Sequence, residues 1–299
     1  MYGEIFDFLK MNDVEYKIGA SLKAISPIKI GPKEAFLVYP DSQGKLILLV
    51  KFLKNAEIKY KILGRMSNVL FCDENYNGIV IRTDRMSRYS IIGNCVTALC
   101  GVSLPLLAKA VCKAGLSGLE GLSGIPGSMG GAVIGNAGAF GSEIGDVVSS
   151  VDCYDFDRGE IINLPAEYLL FSYRNSIFKE KNWIILSVNL KLTESDRSAV
   201  ESEMERCCNI RRKTQPTTSP SLGSTFKRPG EGLYAARLID ECGLKGHSVG
   251  GAMISEKHAG FIINSGDATA RDYIGLSDFV AKCVYMKYGI LLEREIELI

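Results

Sequence analysis

The sequence predicts an α+β protein of more than one domain. Three observations carry that prediction. Short apolar strands and amphipathic helices are mixed through the first two-thirds of the 299-residue chain. A long glycine-rich segment interrupts them between residues 115 and 145. Near 195–200 the composition turns to charged helix and polar loop, which marks the principal domain boundary. A chain of this length can build two or three separate cores.

The elements follow in order. AFLVYP (35–40) and YKILG (60–64) read as strands, with LILLVKFLKNA (46–56) as the helix between them, a βαβ-like unit. GIVIRT (78–83) adds a strand. SIIGNCVTALCGV (90–102) reads as a single buried strand. The helix after it has Ser103 as N-cap, Pro105 in its first turn and Gly115 past its end. Leu107, Val111 and Ala114 share one face of it. VVSSVDCYDF (147–156) and NWIILSVNLKL (182–192) are strands with partial alternation. Residues 194–214 form a helix with acids early and bases late, closed by Pro216 and Pro220. A polar loop covers 215–232, and a helix in 233–246 ends at Gly243. A further helix spans about 269–288, with Thr269 and Asp272 at capping-box spacing. The terminal ILLEREIELI reads as a strand.

Composition narrows the function classes. Thirty-five basic and thirty-four acidic residues give a net charge of +1, which provides no electrostatic case for nucleic acid or an anionic membrane. Nine cysteines without a C-x-x-C pair, and an acidic start lacking a long apolar core, point to reduced thiols in the cytoplasm. The two histidines, His247 and His258, stand in no zinc-like spacing, so no metal is expected. The uncharged run 90–108 contains Gly93, Asn94, Gly101 and Pro105 and reads as strand plus helix, not as a membrane span.

Eleven glycines fall between Gly115 and Gly145, and no charged side chain occurs from Gly121 to Ser142. Such loops expose backbone N–H groups that can hold an anion without Lys or Arg. A P-loop would need a following Lys, and a dinucleotide fingerprint would need G-x-G-x-x-G; neither is present. The segment therefore points to a phosphate-bearing ligand on another fold.

Other segments carry side chains suited to chemistry. LGRMSN (63–68) offers Gly64, Ser67 and Asn68 after a strand. SYRNSIFK (172–179) places Arg174 between Tyr173 and Asn175, where its fork suits a carboxylate. A surface arginine in a turn explains the same residues. PSLGSTFKRP (220–229) sets Ser224 near Lys227 and Arg228, although a loop hydroxyl needs no function. In LLEREIELI, alternation puts Glu293, Glu295 and Glu297 on one face without choosing among them. The segment 248–273 carries Glu256, Lys257 and His258, with either a substrate-lining or a purely structural role.

Taken in this order, LGRMSN, GLEGLSGIPGSMGGAVIGNAGAFGSEIGD, YRNSIFK, QPTTSPSLGSTFKRP, LIDECGLKG, GGAMISEKHAGFIIN and LEREI closely resemble the UDP-N-acetylenolpyruvoylglucosamine reductase family. The family completes UDP-N-acetylmuramate in bacterial cell-wall synthesis. The resemblance implies a vanillyl-alcohol-oxidase-type FAD fold of two subdomains, 1–84 and 85–197, and a substrate-binding domain, 198–299. It implies non-covalent FAD, NADPH as electron donor, the enolpyruvyl sugar nucleotide as substrate, and a monomeric cytoplasmic enzyme. It carries the FAD contacts onto Gly64, Ser67, Asn68, Gly124, Ile125, Pro126, Gly127, Ser128, Gly130, Gly131, Asn136 and Gly138. Catalysis falls to Arg174, Ser224 and Glu295, and substrate contacts to Tyr173, Lys227, Arg228, Glu256 and Lys257.

Several positions depart from the family pattern. Arg65 and Met66 replace small residues, Gly31 and Pro32 stand where a Gly-Gly pair is common, and Arg228 replaces an asparagine. The short span between Arg174 and Ser224 matches the subtype without an inserted tyrosine loop. The competing readings are an oxidase on the same flavin fold and a non-catalytic nucleotide-sugar binder. The joint presence of Arg174, Ser224 and Glu295 in matched motifs argues against the second.

Overall fold

A computed structural model describes residues 2–299, which divide into two units. The first comprises residues up to 17, 37–65 and 78–209; the second comprises 18–36, 66–77 and 210–299.

In the first unit, helix α1 (Tyr2–Met11) precedes a four-stranded sheet of β1 (Glu15–Ala20), β2 (Ala35–Tyr39), β3 (Tyr60–Leu63) and β4 (Ile79–Arg82). Helix α2 (Gln43–Asn55) starts where Ser42 Oγ accepts from Lys45 N, and it buries Leu46, Leu49, Val50 and Leu53. That spacing is one apolar stripe of a 3.6-residue period. The sheet order is β1-β2-β4-β3, with β3 and β4 parallel. The two strands of the βαβ-like reading of 35–64 lie in one sheet with the helix between them in sequence, and β4 is inserted between them in the sheet. Alternation identifies strands but not their neighbours.

The second sheet of this unit is antiparallel. It contains β5 (Tyr89–Ile92), β6 (Cys95–Leu99), β7 (Val148–Asp155), β8 (Glu160–Pro165) and β9 (Trp183–Lys191), in the order β8-β7-β9-β6-β5. The single buried strand expected over 90–102 is therefore a hairpin. Gly93 has φ +56°, and with Asn94 it makes the two-residue turn that Gly-Asn favours. Ile92 is 78% exposed, so this edge is not covered on both faces. Strand β8 had no counterpart among the predicted elements.

Helix α3 (Leu104–Lys113) follows, burying Leu104, Leu107, Ala108, Val111 and Cys112. Ser103 occupies the N-cap as expected, though without a side-chain cap bond, whereas Ala114 is exposed just past the last turn, which corrects its place on the buried face. Helices α4 (Met129–Ile134) and α5 (Arg197–Thr214) complete the regular elements used below.

The second unit packs α6 (Ala235–Glu241) and α7 (Ala270–Tyr288) with a small antiparallel sheet of 248–249, 252–254 and 262–264. Leu222, Phe226, Leu238, Ile254, Leu276, Val280 and Ile296 lie in its core. The capping box at α7 is present: Thr269 Oγ1 accepts from Asp272 N, and Asp272 accepts from Thr269 N at 2.9 Å. Only Glu297–Leu298 is a true strand in the terminal segment, pairing in parallel with Val69–Leu70. The expected strand over 290–299 is corrected to this pair plus an isolated bridge between Phe226 and Arg294.

One glycine fixes how β6 turns into α3. A Cβ at Gly101 would lie 1.7 Å from the Thr83 carbonyl oxygen and 2.9 Å from that of Met86. Both are backbone atoms and cannot swing aside. Gly101→Ala is expected to cost about 3 kcal/mol, the upper range for overpacking. Urea unfolding measures it, and a loss under about 1 kcal/mol would contradict the contact.

Candidate active site

The glycine segment is stitched to the end of β6 and the start of α3. Gly130 N donates to Cys100 O and Met129 N to Val102 O, each at 2.8 Å, while Leu104 N donates to Gly127 O at 3.1 Å. A Cβ on Gly130 would come 3.1 Å from that of Cys100. Ser128 is buried, and its Oγ accepts from Gly131 N to open α4. Gly64, at the end of β3, lies against this serine: a Cβ there would fall 2.0 Å from Ser128 Oγ. Two segments singled out separately in the sequence thus meet.

Among the described residues, the N–H groups of Gly124 and Gly127 meet no protein acceptor, and both glycines are half-exposed. Pro126 between them has no N–H, and Ile125 N is bonded to Leu122 O. The result is an uncharged backbone surface with donors available, which fits a diphosphate. The neighbouring thiol stays neutral, because burial pushes Cys100 up to about 12. The chain passes into the second unit after Arg65, so Ser67 and Asn68 belong there. Met66 takes a left-handed φ of +57°, a conformation the small residue it replaces would adopt at less cost.

The first unit also brings Arg174 to the glycine segment. Ser172 and Asn175 bond to each other at 3.2 and 3.0 Å, which closes a tight turn with Arg174 at φ +55°. Arg174 Nη2 donates to Gly138 O at 3.3 Å, and its guanidinium lies 5.3 Å from the Tyr173 ring centroid. Lys179 Nζ donates to Arg174 O at 2.6 Å. Asn136, at φ +39°, donates to Glu143 Oε2 and Ser172 O and accepts from Gly145 N.

The second unit brings Ser224 beside Glu295. Between them stands Thr225, which is buried and bonded on every side. Its N donates to Gly260 O at 2.8 Å, and its O accepts from Glu295 N at 2.9 Å. Its Oγ1 accepts from Ile262 N and shares a bond with Tyr273 Oη at 3.1 Å. Burial holds the Tyr273 hydroxyl well above its ordinary pKa, so it remains neutral. Lys227 N donates to Glu293 O at 2.9 Å, continuing the register. Asn68 Nδ2 donates to Glu295 O at 3.0 Å, which engages its amide with the protein backbone.

The remaining charged residues do not gather at one point. Lys227 is ion-paired with Glu293, and Arg228 lies over the Tyr234 ring at 5.2 Å. Lys257 Nζ donates to Arg212 O, while the Glu256 carboxylate packs over Gly246. Thr225, Tyr273 and Glu143 had not been singled out in the sequence. Only Thr225, next to Ser224, carried a local signal. Among the described residues no group of three His, Cys, Asp or Glu gathers as a metal site. Among the described residues, no helix is long and apolar enough to cross a membrane.

Comparisons with known proteins give consistent matches. Residues 34–165 match a profile described as "FAD binding domain", and 215–299 match the C-terminal domain of UDP-N-acetylenolpyruvoylglucosamine reductase. The chain is 42% identical over 294 residues to the reductase of that name from Caldicellulosiruptor bescii, covering 98% of this chain and 93% of the other. It is similar to the crystal structure of the Thermus caldophilus reductase, with 35% identity and a TM-score of 0.80 over 95% of this chain and 98% of that one. A solvent-stable cholesterol oxidase, at 16% identity and a TM-score of 0.50, covers 61% of this chain and 38% of its own, and shares the fold alone. The FAD-binding fold is thus of the vanillyl-alcohol-oxidase type.

The Gly64–Ser128 contact yields a direct test. Gly64→Ala is expected to displace Ser128 and weaken FAD binding by about ten-fold, or ~1.4 kcal/mol. Gly44→Ala, whose Cβ meets nothing within 4 Å, is the control. Fluorescence titration of the flavin-free protein measures both; equal affinities would contradict the cradle.

Proposed function

The chain belongs to the UDP-N-acetylenolpyruvoylglucosamine reductase family, and on that premise we propose how its residues carry out the reaction. It is an FAD oxidoreductase that reduces UDP-N-acetylglucosamine enolpyruvate to UDP-N-acetylmuramate in peptidoglycan synthesis. Bound FAD supplies a carrier that takes hydride from NADPH and passes it to the enolpyruvyl double bond.

The observation that carries the catalytic assignment is the pairing of the Ser224 segment with Glu295 through Thr225. One hydride and one proton must saturate the double bond, and negative charge develops on the substrate's enolate and carboxylate in between. Arg174 stabilises that charge, a contribution of about 3 kcal/mol in a site shielded from water. Ser224 delivers the proton and recovers one from water. Glu295, in its protonated form, supports the developing charge instead of repelling it.

Binding falls to the other residues. Gly64, Ser67 and Asn68, the loop Gly124, Ile125, Pro126, Gly127 and Ser128, then Gly130, Gly131, Asn136 and Gly138 hold FAD. The bare N–H groups of Gly124 and Gly127 support this reading for its diphosphate. Tyr173, Lys227, Arg228, Glu256 and Lys257 contact the sugar nucleotide, where Arg228 suits its diphosphate. We assign 1–84 and 85–197 as FAD-binding subdomains and 198–299 as the substrate-binding domain of a monomeric, cytoplasmic enzyme.

Purified protein is expected to be yellow and to oxidise NADPH continuously only with the enolpyruvyl substrate present. Ser224→Ala is expected to leave flavin reduction by NADPH nearly intact while slowing reoxidation by substrate by ~10²–10⁴. Anaerobic stopped-flow absorbance resolves the two half-reactions. Equal losses in both would refute the proton-donor role.

A further inference from the structure

We propose that Asn136 is a positioning residue for Arg174, acting with Glu143 to fix both the backbone and the guanidinium of that arginine. The inference rests on the role given above to Arg174 and adds a mechanism for holding it. Asn136 is 1% exposed, and both polar atoms of its side chain are engaged within the protein.

Two routes lead from this one amide to Arg174. The first reaches the backbone. Asn136 Nδ2 donates to Ser172 O at 3.1 Å, the same carbonyl that accepts from Asn175 N to close the turn. Arg174 sits inside that turn with φ +55°, a conformation that a non-glycine residue keeps only when its surroundings enforce it. The second route reaches the guanidinium. Asn136 Nδ2 also donates to Glu143 Oε2 at 2.6 Å, and Glu143 pairs in register with Gly138. Gly138 O is the acceptor of Arg174 Nη2.

The far side of the amide is fixed as well. Asn136 Oδ1 accepts from Gly145 N at 3.0 Å, and a Cβ on Gly145 would stand 3.0 Å from that oxygen. A buried amide with three partners tolerates little motion, because leaving any of these groups unpaired costs its full desolvation. An error of about 1 Å in the placement of a charge-stabilising group lowers rates by ~10². Asn136 therefore influences the reaction through Arg174 without touching the substrate.

The test is a double-variant cycle on the holoenzyme. Asn136→Ala, measured with FAD saturating, is expected to slow substrate-driven flavin reoxidation by ~10²-fold. In an Arg174→Ala background, Asn136→Ala is expected to add less than about two-fold, because both changes remove one function. Multiplicative effects would overturn the proposal. In flavin-free protein, hydrogen–deuterium exchange across residues 172–175 is expected to rise in Asn136→Ala; unchanged exchange would also overturn it. Glu143→Gln, which keeps the shape, is expected to act in the same direction more weakly, and serves if Asn136→Ala does not fold. If Arg174→Ala alone leaves reoxidation unchanged, the catalytic reading fails, while the exchange measurement still decides the positioning.

Discussion

In the first unit, backbone approaches its neighbours at points where a Cβ would clash or be tightly pressed. Gly101 lies against the Thr83 carbonyl, Gly64 against the Ser128 hydroxyl, and Gly130 against Cys100. These contacts bring the end of β3, the turn after β6 and the start of α4 together. The loop 124–127 is carried to its position by that packing, with donors at Gly124 and Gly127 that meet no acceptor among the described residues. The cradle therefore depends on steric absence, and its polarity comes from amides alone.

The same segment holds backbone conformations that would not persist alone. Asn136, Phe140 and Arg174 all have φ between +39° and +55°. Each such residue costs about 1–3 kcal/mol unless the surroundings enforce it. Here the enforcement is polar: the Asn136 amide, the Ser172–Asn175 pair and the Arg174–Gly138 bond. The second unit uses a different device. Thr225 is held by four bonds to three segments, so Ser224 and Glu295 share one point of reference. Neither region depends on exposed ion pairs, which contribute little.

Helices were legible in the sequence because their signals are local. Thr269 with Asp272 at capping-box spacing and the apolar run 46–56 both act within a few residues, although the cap at Ser42 that opens the second helix was not read. Strand partners were less legible. Alternation gave β2 and β3 but not the insertion of β4 between them. The Gly93–Asn94 turn was present in the letters, yet the uncharged run around it suggested continuity. The motif residues of the site were readable as an ordered set. Their supports were not, because the bonds of Asn136 to Ser172 and of Thr225 to Tyr273 join distant residues and leave no periodicity.

The terminal glutamates show what packing adds to alternation. Sequence placed Glu293, Glu295 and Glu297 on one face and left the choice among them open. Arg294 reaches Ser277 Oγ at 2.7 Å and pairs with Asp278, both on α7, while Ile296 is buried in the core. Those two residues anchor the opposite face. Of the three acids, Glu293 is drawn into an ion pair with Lys227, and Glu297 is exposed in the terminal strand. Glu295 alone is both half-buried and clasped at its own backbone, with N bonded to Thr225 O and O accepting from Asn68 Nδ2. The bond from Glu295 N to Thr225 O holds it against the Ser224 segment, so packing distinguishes it from the other two acids where alternation does not.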